Sequence, residues 1–229
     1  MGRVVEVRAN VVYSPFMKPF IIFDLDGTLA DTREDIANAV NLTRAHYRLA
    51  PLSLERVVSY VGNGSRTLIE RSFSDQPDTD AATALCVFSD MYARHLIGKS
   101  RLYPGVEATL YRLHAEGVPM AVLSNKPGDL CRRIISHFQL ESYFFKVIGG
   151  GDLPALKPDP GGIFHILDQC ESPVAPESVW MVGDHWTDLE TASRAKIKSA
   201  FCRYGFGDRK GLECNEQIDR FQNLETIIR

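Results

Sequence analysis

The stretch F-I-I-F-D-L-D-G-T, residues 20–28, decides the fold and poses an electrostatic problem. Four apolar residues lead into Asp24, and Asp26 follows after a single leucine. The apolar run predicts a strand buried on both faces, so both acids should lie where that strand ends. Two carboxylates about 4 Å apart cost on the order of 4 kcal/mol at an effective dielectric of about 20. A pair placed there requires a compensating positive charge.

The composition is that of an ordinary globular protein: 229 residues, of which 45% are hydrophobic and 24% charged. A net charge of −3 gives no electrostatic reason to expect nucleic acid or an anionic membrane as a partner. No apolar run approaches the roughly 20 residues needed to cross a bilayer. The five cysteines contain no C-x-x-C pair, which predicts reduced thiols in a cytoplasmic protein. We expect a monomer or a homodimer.

Residues 1–17 are expected to be an N-terminal extension without a catalytic role. They lack the apolar core and cleavage site of a signal peptide. The run V-V-E-V-R-A-N-V-V-Y within them could add an edge strand, or the start of the sequence could be over-extended.

The segment 32–102 is predicted to be helical. Asp31, with Glu34 three residues later, resembles a capping box that opens a helix through about Leu49. Apolar side chains recur at helical spacing over 81–95, and no good strand precedes residue 102. The predicted domain division is an extension at 1–17, a core formed by 18–31 and 103–229, and a helical domain at 32–102.

Beyond Pro104 strands and helices alternate, which predicts a doubly wound parallel sheet. The strands are V-P-M-A-V-L-S, Y-F-F-K-V-I-G, S-V-W-M-V-G-D and K-S-A-F-C-R-Y. Asp24, Ser124 and Asp184 each follow or end an apolar strand. In open α/β sheets ligands bind outside the carboxyl ends of the strands. These distant residues are therefore expected to converge on one site.

The residue types at the predicted site suit phosphoryl transfer. That reaction uses a nucleophile, an acid for the leaving group and positive charge against the phosphate oxygens. An excess of aspartate at the strand ends favours a hard divalent cation, and Mg²⁺ prefers such oxygen ligands. A bound Mg²⁺ would also relieve the repulsion between Asp24 and Asp26.

Four short motifs carry a family resemblance: D-L-D-G-T at 24–28, S-N-K at 124–126, K-P-D-P at 157–160 and G-D-H-W-T-D at 183–188. Together they resemble the ordered motifs of the haloacid dehalogenase superfamily of phosphohydrolases. The resemblance implies a Rossmann-like core with a helical, C1-type cap inserted after the first strand. It also implies a cap that closes over the core and excludes water from the site.

The resemblance assigns a role to each motif residue. Asp24 is similar to the nucleophile that forms an aspartyl-phosphate, and Asp26 to the general acid and base. Metal ligands would be the Asp24 carboxylate, the Asp26 backbone carbonyl and Asp184. The remaining implied roles are phosphoryl binding by Ser124 and Asn125, charge neutralisation by Lys157, substrate contact by Thr28, and orientation of metal-bound water or Lys157 by Asp188.

Two further stretches, Y-V-G-N-G-S-R-T-L-I-E-R-S-F at 60–73 and V-I-G-G-G-D-L-P-A-L-K-P-D-P at 147–160, are similar to bacterial phosphoglycolate phosphatases. Asn63 and Gly64 precede a predicted helix, whose exposed amides would suit a substrate carboxylate. Arg66 could add a positive charge there. The same loop could equally be a simple turn between two helices.

The leading functional hypothesis is a Mg²⁺-dependent phosphatase for a small phosphorylated metabolite, with 2-phosphoglycolate as the first candidate. A sugar phosphomutase would use the same aspartyl-phosphate, although related mutases often have valine where this chain has Thr28. Pyrophosphate, another sugar phosphate or a phosphoprotein are alternative substrates, and a catalytically inactive scaffold is the non-enzyme alternative. Dehalogenation is disfavoured because family members that displace halide lack the second aspartate, which this chain has at Asp26.

Overall fold

A computed structural model describes residues 18–228. Its strands are β1 (Phe20–Phe23), β2 (Ala30–Asp31), β3 (Arg101–Leu102), β4 (Met120–Pro127), β5 (Lys146–Gly150), β6 (Val179–Gly183), β7 (Lys198–Cys202) and β8 (Glu216–Ile218). Its helices are α1 (Arg33–His46), α2 (Leu54–Val58), α3 (Ser65–Ser72), α4 (Ala81–Arg94), α5 (Val106–Ala115), α6 (Gly128–His137), α7 (Gly161–Leu167), α8 (Trp186–Ala195) and α9 (Leu224–Ile227). The predicted extension at 1–17 lies outside the described residues.

Six strands form one parallel sheet in the order β5-β4-β1-β6-β7-β8, with helices on its two faces. This confirms the predicted Rossmann-like doubly wound sheet. β1 lies between β4 and β6, and all four of its residues are buried, as its continuous apolar run predicted. The central strand therefore ends with neighbours on both sides, and the residues that follow it lie close to the ends of β4 and β6.

Two clusters of apolar side chains cover the two faces of the sheet. Because successive strand residues point to opposite faces, Ile21 and Phe23 belong to one cluster while Phe20 and Ile22 belong to the other. The cluster that contains Ile21 also includes side chains of α1, α3 and α4. The helices of the 32–102 segment are thus packed into the same apolar core as the central strand.

β2 and β3 form a separate antiparallel pair that brackets α1–α4. This pair was not predicted, since two-residue strands carry no readable alternation. The division into a core and a helical domain stays a prediction, although α1–α4 do lie between these two strands. No helix in the described part of the chain has the length and apolar character to span a membrane.

The predicted capping box at Asp31 is wrong. The N-cap of α1 is Thr32, and its side chain makes no capping hydrogen bond. Asp31 belongs to β2 and accepts hydrogen bonds from the Arg33 side chain, at 2.9 Å from Nε and 2.7 Å from Nη2. The Arg33 side chain contacts both carboxylate oxygens, so Asp31 forms an ion pair with the first residue of α1.

Candidate active site

Four segments of the chain meet at the carboxyl edge of the sheet. Asp24 follows β1, Ser124 lies in β4, Lys157 lies in the loop after β5, and Asp184 follows β6. All four side chains are buried. The predicted convergence of Asp24, Ser124 and Asp184 follows from the position of β1 between β4 and β6.

Lys157 lies between two carboxylates. Its Nζ is 3.1 Å from Oδ1 of Asp24 and 2.6 Å from Oδ1 of Asp188. Burial works against the ammonium charge, but the charges of Asp188 and Asp24 raise the Lys157 pKa. The second oxygen of Asp188 accepts from the His185 backbone N–H at 3.0 Å, which fixes the carboxylate. Asp188 therefore orients Lys157 toward Asp24.

One carboxylate oxygen from each of Asp24, Asp184 and Asp188 lies within 4.8 Å of the other two. Burial raises the pKa of Asp24 to about 6, with a smaller contribution from the charge of Asp188 and an opposing one from Lys157. Burial, then the charges of Asp24 and Asp188, raise the Asp184 pKa well above its ordinary value. Crowded, buried oxygen donors of this kind fit a hard divalent cation. The residues present thus suit Mg²⁺.

Asp184 is held by a close-fitting backbone. Its Oδ2 accepts hydrogen bonds from the backbone N–H groups of Phe206 (2.9 Å) and Gly207 (2.7 Å). Gly27 has φ of +81°, and a Cβ on it would lie 1.9 Å from that same oxygen. The motif glycine is therefore required both by its backbone conformation and by the approach of Asp184.

Asp26 has a lysine of its own. Lys126 Nζ lies 2.7 Å and 2.8 Å from its two carboxylate oxygens, and the Thr32 hydroxyl donates to Oδ1 at 2.6 Å. The two acids of the D-L-D-G-T motif are thus each paired with a different buried ammonium. This answers the electrostatic problem of the opening stretch in part without a metal ion. Lys126 belongs to the S-N-K motif, but its contact with Asp26 was not predicted.

The helical segment contacts the strand ends directly. Asn125 donates from Nδ2 to the Gly62 carbonyl at 2.9 Å and to the Lys157 carbonyl at 2.9 Å, and its Oδ1 accepts from the Lys157 N–H at 2.8 Å. A Cβ on Gly62 would lie 2.5 Å from the His185 ring. Asn125 therefore ties the loop before α3 to the loop that carries Lys157.

A cavity of about 50 Å³ lies between the helical segment and the strand ends. Its lining includes Asp24, Asp26, Gly62, Gly64, Ser65, Leu68, Phe88, Tyr92, Ser124, Asn125, Lys126, Asp184 and His185. A single buried water needs roughly 10–15 Å³ of such space, so the cavity has room for only a few water-sized groups. Three aspartates and Lys126 line it together with apolar side chains of α3 and α4.

Three residues expected to contact substrate do not line this cavity. Thr28 is fully buried, and its carbonyl accepts from the Tyr204 hydroxyl at 2.9 Å. Arg66 is exposed, because on α3 it is Ser65 and Leu68 that face the cavity. Asn63 lines a neighbouring groove and accepts from Arg71 at 3.4 Å. Gly64 does line the cavity, as expected of the loop before α3.

His185 lines the cavity and caps α8. Its Nδ1 accepts from the Thr187 N–H at 3.4 Å. Burial lowers the pKa of His185 to about 4, so the ring is neutral near pH 7. The histidine follows directly after Asp184, and that adjacency was the one signal in the sequence for its position.

An aspartate after the central strand of a parallel sheet, with a lysine and further acids around it, defines a Rossmann-like hydrolase core. The model of one family, described as haloacid dehalogenase-like hydrolase, matches residues 21–202. The chain belongs to that family.

Its relatives are phosphatases. The chain is 34% identical over 227 residues to phosphoglycolate phosphatase 1 of Pseudomonas aeruginosa, covering 96% of this chain and 82% of that protein. It is 32% identical over 222 residues to the phosphoglycolate phosphatase of Psychrobacter arcticus, covering 92% and 96%. A crystal structure of a "predicted phosphoglycolate phosphatase" from Haemophilus somnus superposes with a TM-score of 0.85 at 27% identity, covering 93% and 98%. The protein is a hydrolase that resembles these phosphatases.

Proposed function

We propose that this protein is a Mg²⁺-dependent phosphatase that hydrolyses a small phosphate monoester, 2-phosphoglycolate, through an aspartyl-phosphate on Asp24. The observation that carries the proposal is that Asp24, a buried carboxylate that lines a small cavity, is paired with the Lys157 ammonium. The choice of 2-phosphoglycolate is supported by the relatives that are named phosphoglycolate phosphatases. The domain division, cytoplasmic localisation and oligomeric state stay predictions.

Asp24 is oriented for attack by the contacts on one of its oxygens. Oδ1 accepts from the Leu25 N–H at 2.7 Å and lies 3.1 Å from Lys157 Nζ. Both contacts fall on Oδ1, so we assign the attack on phosphorus to Oδ2. Asp24 must be ionised to act as a nucleophile, and Lys157 favours that ionised form against the effect of burial.

The leaving oxygen receives a proton from Asp26, which lines the same cavity. In the second half of the reaction Asp26, now a carboxylate, takes a proton from the water that attacks the phosphoryl group. Ser124 lines the cavity next to Asp24 and is assigned to the transferring phosphoryl group.

Asp24, Asp184 and the Asp26 carbonyl are the residues proposed to hold Mg²⁺. The ion would supply positive charge against the phosphate oxygens and so favour attack by a carboxylate. Asp188 acts on the site through Lys157. Its carboxylate accepts a hydrogen bond from the Lys157 ammonium at 2.6 Å.

The size of the cavity favours a small ester. A volume of about 50 Å³ suits a two-carbon acid better than a hexose phosphate. The apolar side chains of Leu68 and Phe88 on the far side exclude water from the reacting phosphate.

The test is release of inorganic phosphate from 2-phosphoglycolate with and without Mg²⁺. We expect activity that requires Mg²⁺ and disappears in Asp24→Asn, whereas Asp90→Asn, on the exposed side of α4, retains it. A hexose 1-phosphate followed by phosphorus NMR tests the mutase alternative, which would isomerise the sugar without net phosphate release. Full activity in Asp24→Asn, or no Mg²⁺-dependent release from any small ester, would contradict the proposal.

A further inference from the structure

The Lys126 ammonium is buried and has all its donors occupied. Its side chain is 2% exposed, and Nζ contacts both oxygens of Asp26 and the Tyr92 hydroxyl, at 2.7, 2.8 and 2.5 Å. A lysine ammonium has three N–H donors, which matches these three acceptors. A buried charge with this arrangement is held in one place.

The same contacts fix the Asp26 carboxylate. Lys126 reaches both of its oxygens, and Thr32 donates to Oδ1 at 2.6 Å. If the Lys126 ammonium were removed, the Thr32 hydroxyl would remain of these contacts, and it would hold the Asp26 carboxylate at Oδ1 alone. A carboxyl group with one contact on one oxygen can rotate, whereas one held at both oxygens cannot.

Tyr92 joins this pair to the helical segment. It lies on α4, is 2% exposed and stacks on Phe88 with ring centroids 5.4 Å apart. Its hydroxyl oxygen accepts a hydrogen bond from Lys126 Nζ, which also lies 4.7 Å from the Tyr92 ring centroid. Lys126 thereby connects α4 to the side chain of Asp26, in the loop after β1.

We propose that Lys126 is a positioning residue for Asp26 and that Tyr92 makes this positioning depend on the seating of α4 over the cavity. The inference rests on the proposed function, in which Asp26 protonates the leaving group. As an Asp24 oxygen bonds to phosphorus and the ester phosphorus–oxygen bond breaks, the Asp26 proton passes to the leaving oxygen, and the carboxylate that remains stays beside the Lys126 ammonium. The oxygen of a water molecule later bonds to phosphorus, the bond from phosphorus to Asp24 breaks, and a proton of that water passes to Asp26.

The consequence is a dependence on the leaving group that a structural role would not produce. Ethyl phosphate and 2-phosphoglycolate expel a basic alkoxide that needs a proton, whereas acetyl phosphate, of similar size, expels a weakly basic carboxylate that does not. Hydrolysis of the aspartyl-phosphate is common to all three substrates, so the comparison uses kcat/KM, which reports the steps through departure of the leaving group. General acid catalysis contributes about 10²–10⁴-fold, so Lys126→Met should lose about 10²-fold in kcat/KM on both alkyl esters and less than about 3-fold on acetyl phosphate.

Tyr92→Phe is the milder variant, because it keeps the ring against Phe88 and removes the hydroxyl alone. We expect a loss of about tenfold in kcat/KM on the alkyl esters, the size of one hydrogen bond to a charged group. If Tyr92 acts through Lys126, the double variant should be no slower than Lys126→Met alone. Lys146→Met, on β5, and Tyr111→Phe, on the exposed side of α5, are matched controls that should leave all three rates unchanged.

Three results would overturn the inference while the wild type still hydrolyses 2-phosphoglycolate. Equal losses in kcat/KM on all three substrates would assign Lys126 a general structural role. A rise in KM for 2-phosphoglycolate with ethyl phosphate unaffected would make Lys126 a contact for the substrate carboxylate. Additive losses in the double variant would separate Tyr92 from Lys126. If the wild type releases no phosphate from any of the three esters, it is the proposed function that fails.

Discussion

Replacing Lys157 by methionine tests the electrostatics of the site most quantitatively. The variant keeps the apolar stem and removes an ammonium that lies 3.1 Å from Asp24 and 2.6 Å from Asp188. Three buried carboxylates then remain within 4.8 Å of one another, and at an effective dielectric of about 20 each pair costs about 3.5 kcal/mol. Protonation limits that sum, so we expect the usual cost of breaking a buried pair, about 3–5 kcal/mol at pH 7.5.

The pH dependence distinguishes this reasoning from a loss of packing. Burial raises the pKa of Asp24 to about 6 in the native protein although Lys157 lowers it, so removal of Lys157 raises that pKa further and the variant takes up a proton at a higher pH than the native protein does. Proton uptake removes one of the three charges and two of the three repulsive pairs. The cost of Lys157→Met should therefore fall to about 1–2 kcal/mol at pH 5.

The assay is the free energy of unfolding from urea denaturation in the presence of a chelator, at pH 7.5 and pH 5. Lys146→Met serves as the control for loss of a lysine charge and should change little at either pH. A penalty for Lys157→Met that is the same at both pH values, or below about 1 kcal/mol at pH 7.5, would refute the electrostatic account.

Two further predictions concern the neighbours of Asp184. Gly27→Ala places a methyl group on the Asp184 carboxylate and should abolish the rise in Tm produced by Mg²⁺, whereas Gly211→Ala, also at positive φ but with nothing within 4 Å, should keep it. For His185, burial lowers the folded pKa to about 4, so its contribution to stability is present above pH 6.5 and is lost as the pH falls toward 4. Between pH 7 and 4 the free energy of unfolding, measured by urea denaturation, should fall by about 3 kcal/mol more in the native protein than in His185→Asn. The same pH profile in both proteins would contradict this assignment.

The strands and their convergence could be predicted because apolar runs mark buried parallel strands. The polar residues at their ends, Asp24 and Asp184, then had to share one edge of the sheet. The short pair β2 and β3 could not be predicted, since two residues have no periodicity. Asp31 satisfied the spacing of a capping box but is paired with Arg33, a contact that depends on its place in β2.

Some of the site residues could likewise be predicted from the sequence, and others could not. Those within the four motifs lie together, while the expectation for Arg66 depended on which face of α3 meets the cavity, and the sequence does not specify that face. Lys126 stood in a motif, but its partner Asp26 is 100 residues away in the chain. Only the three-dimensional arrangement of β1, β4 and α4 shows that this lysine joins Asp26 to Tyr92.

The most direct test of the central claim is a crystal structure of the protein with Mg²⁺ and beryllium fluoride, a mimic of a transferred phosphoryl group. We expect the fluoride complex to be bonded to an Asp24 carboxylate oxygen, beside Lys157 Nζ, with Mg²⁺ held by Asp24 and Asp184. A fluoride complex and metal ion bound elsewhere, with the Asp24 carboxylate unoccupied, would contradict the account.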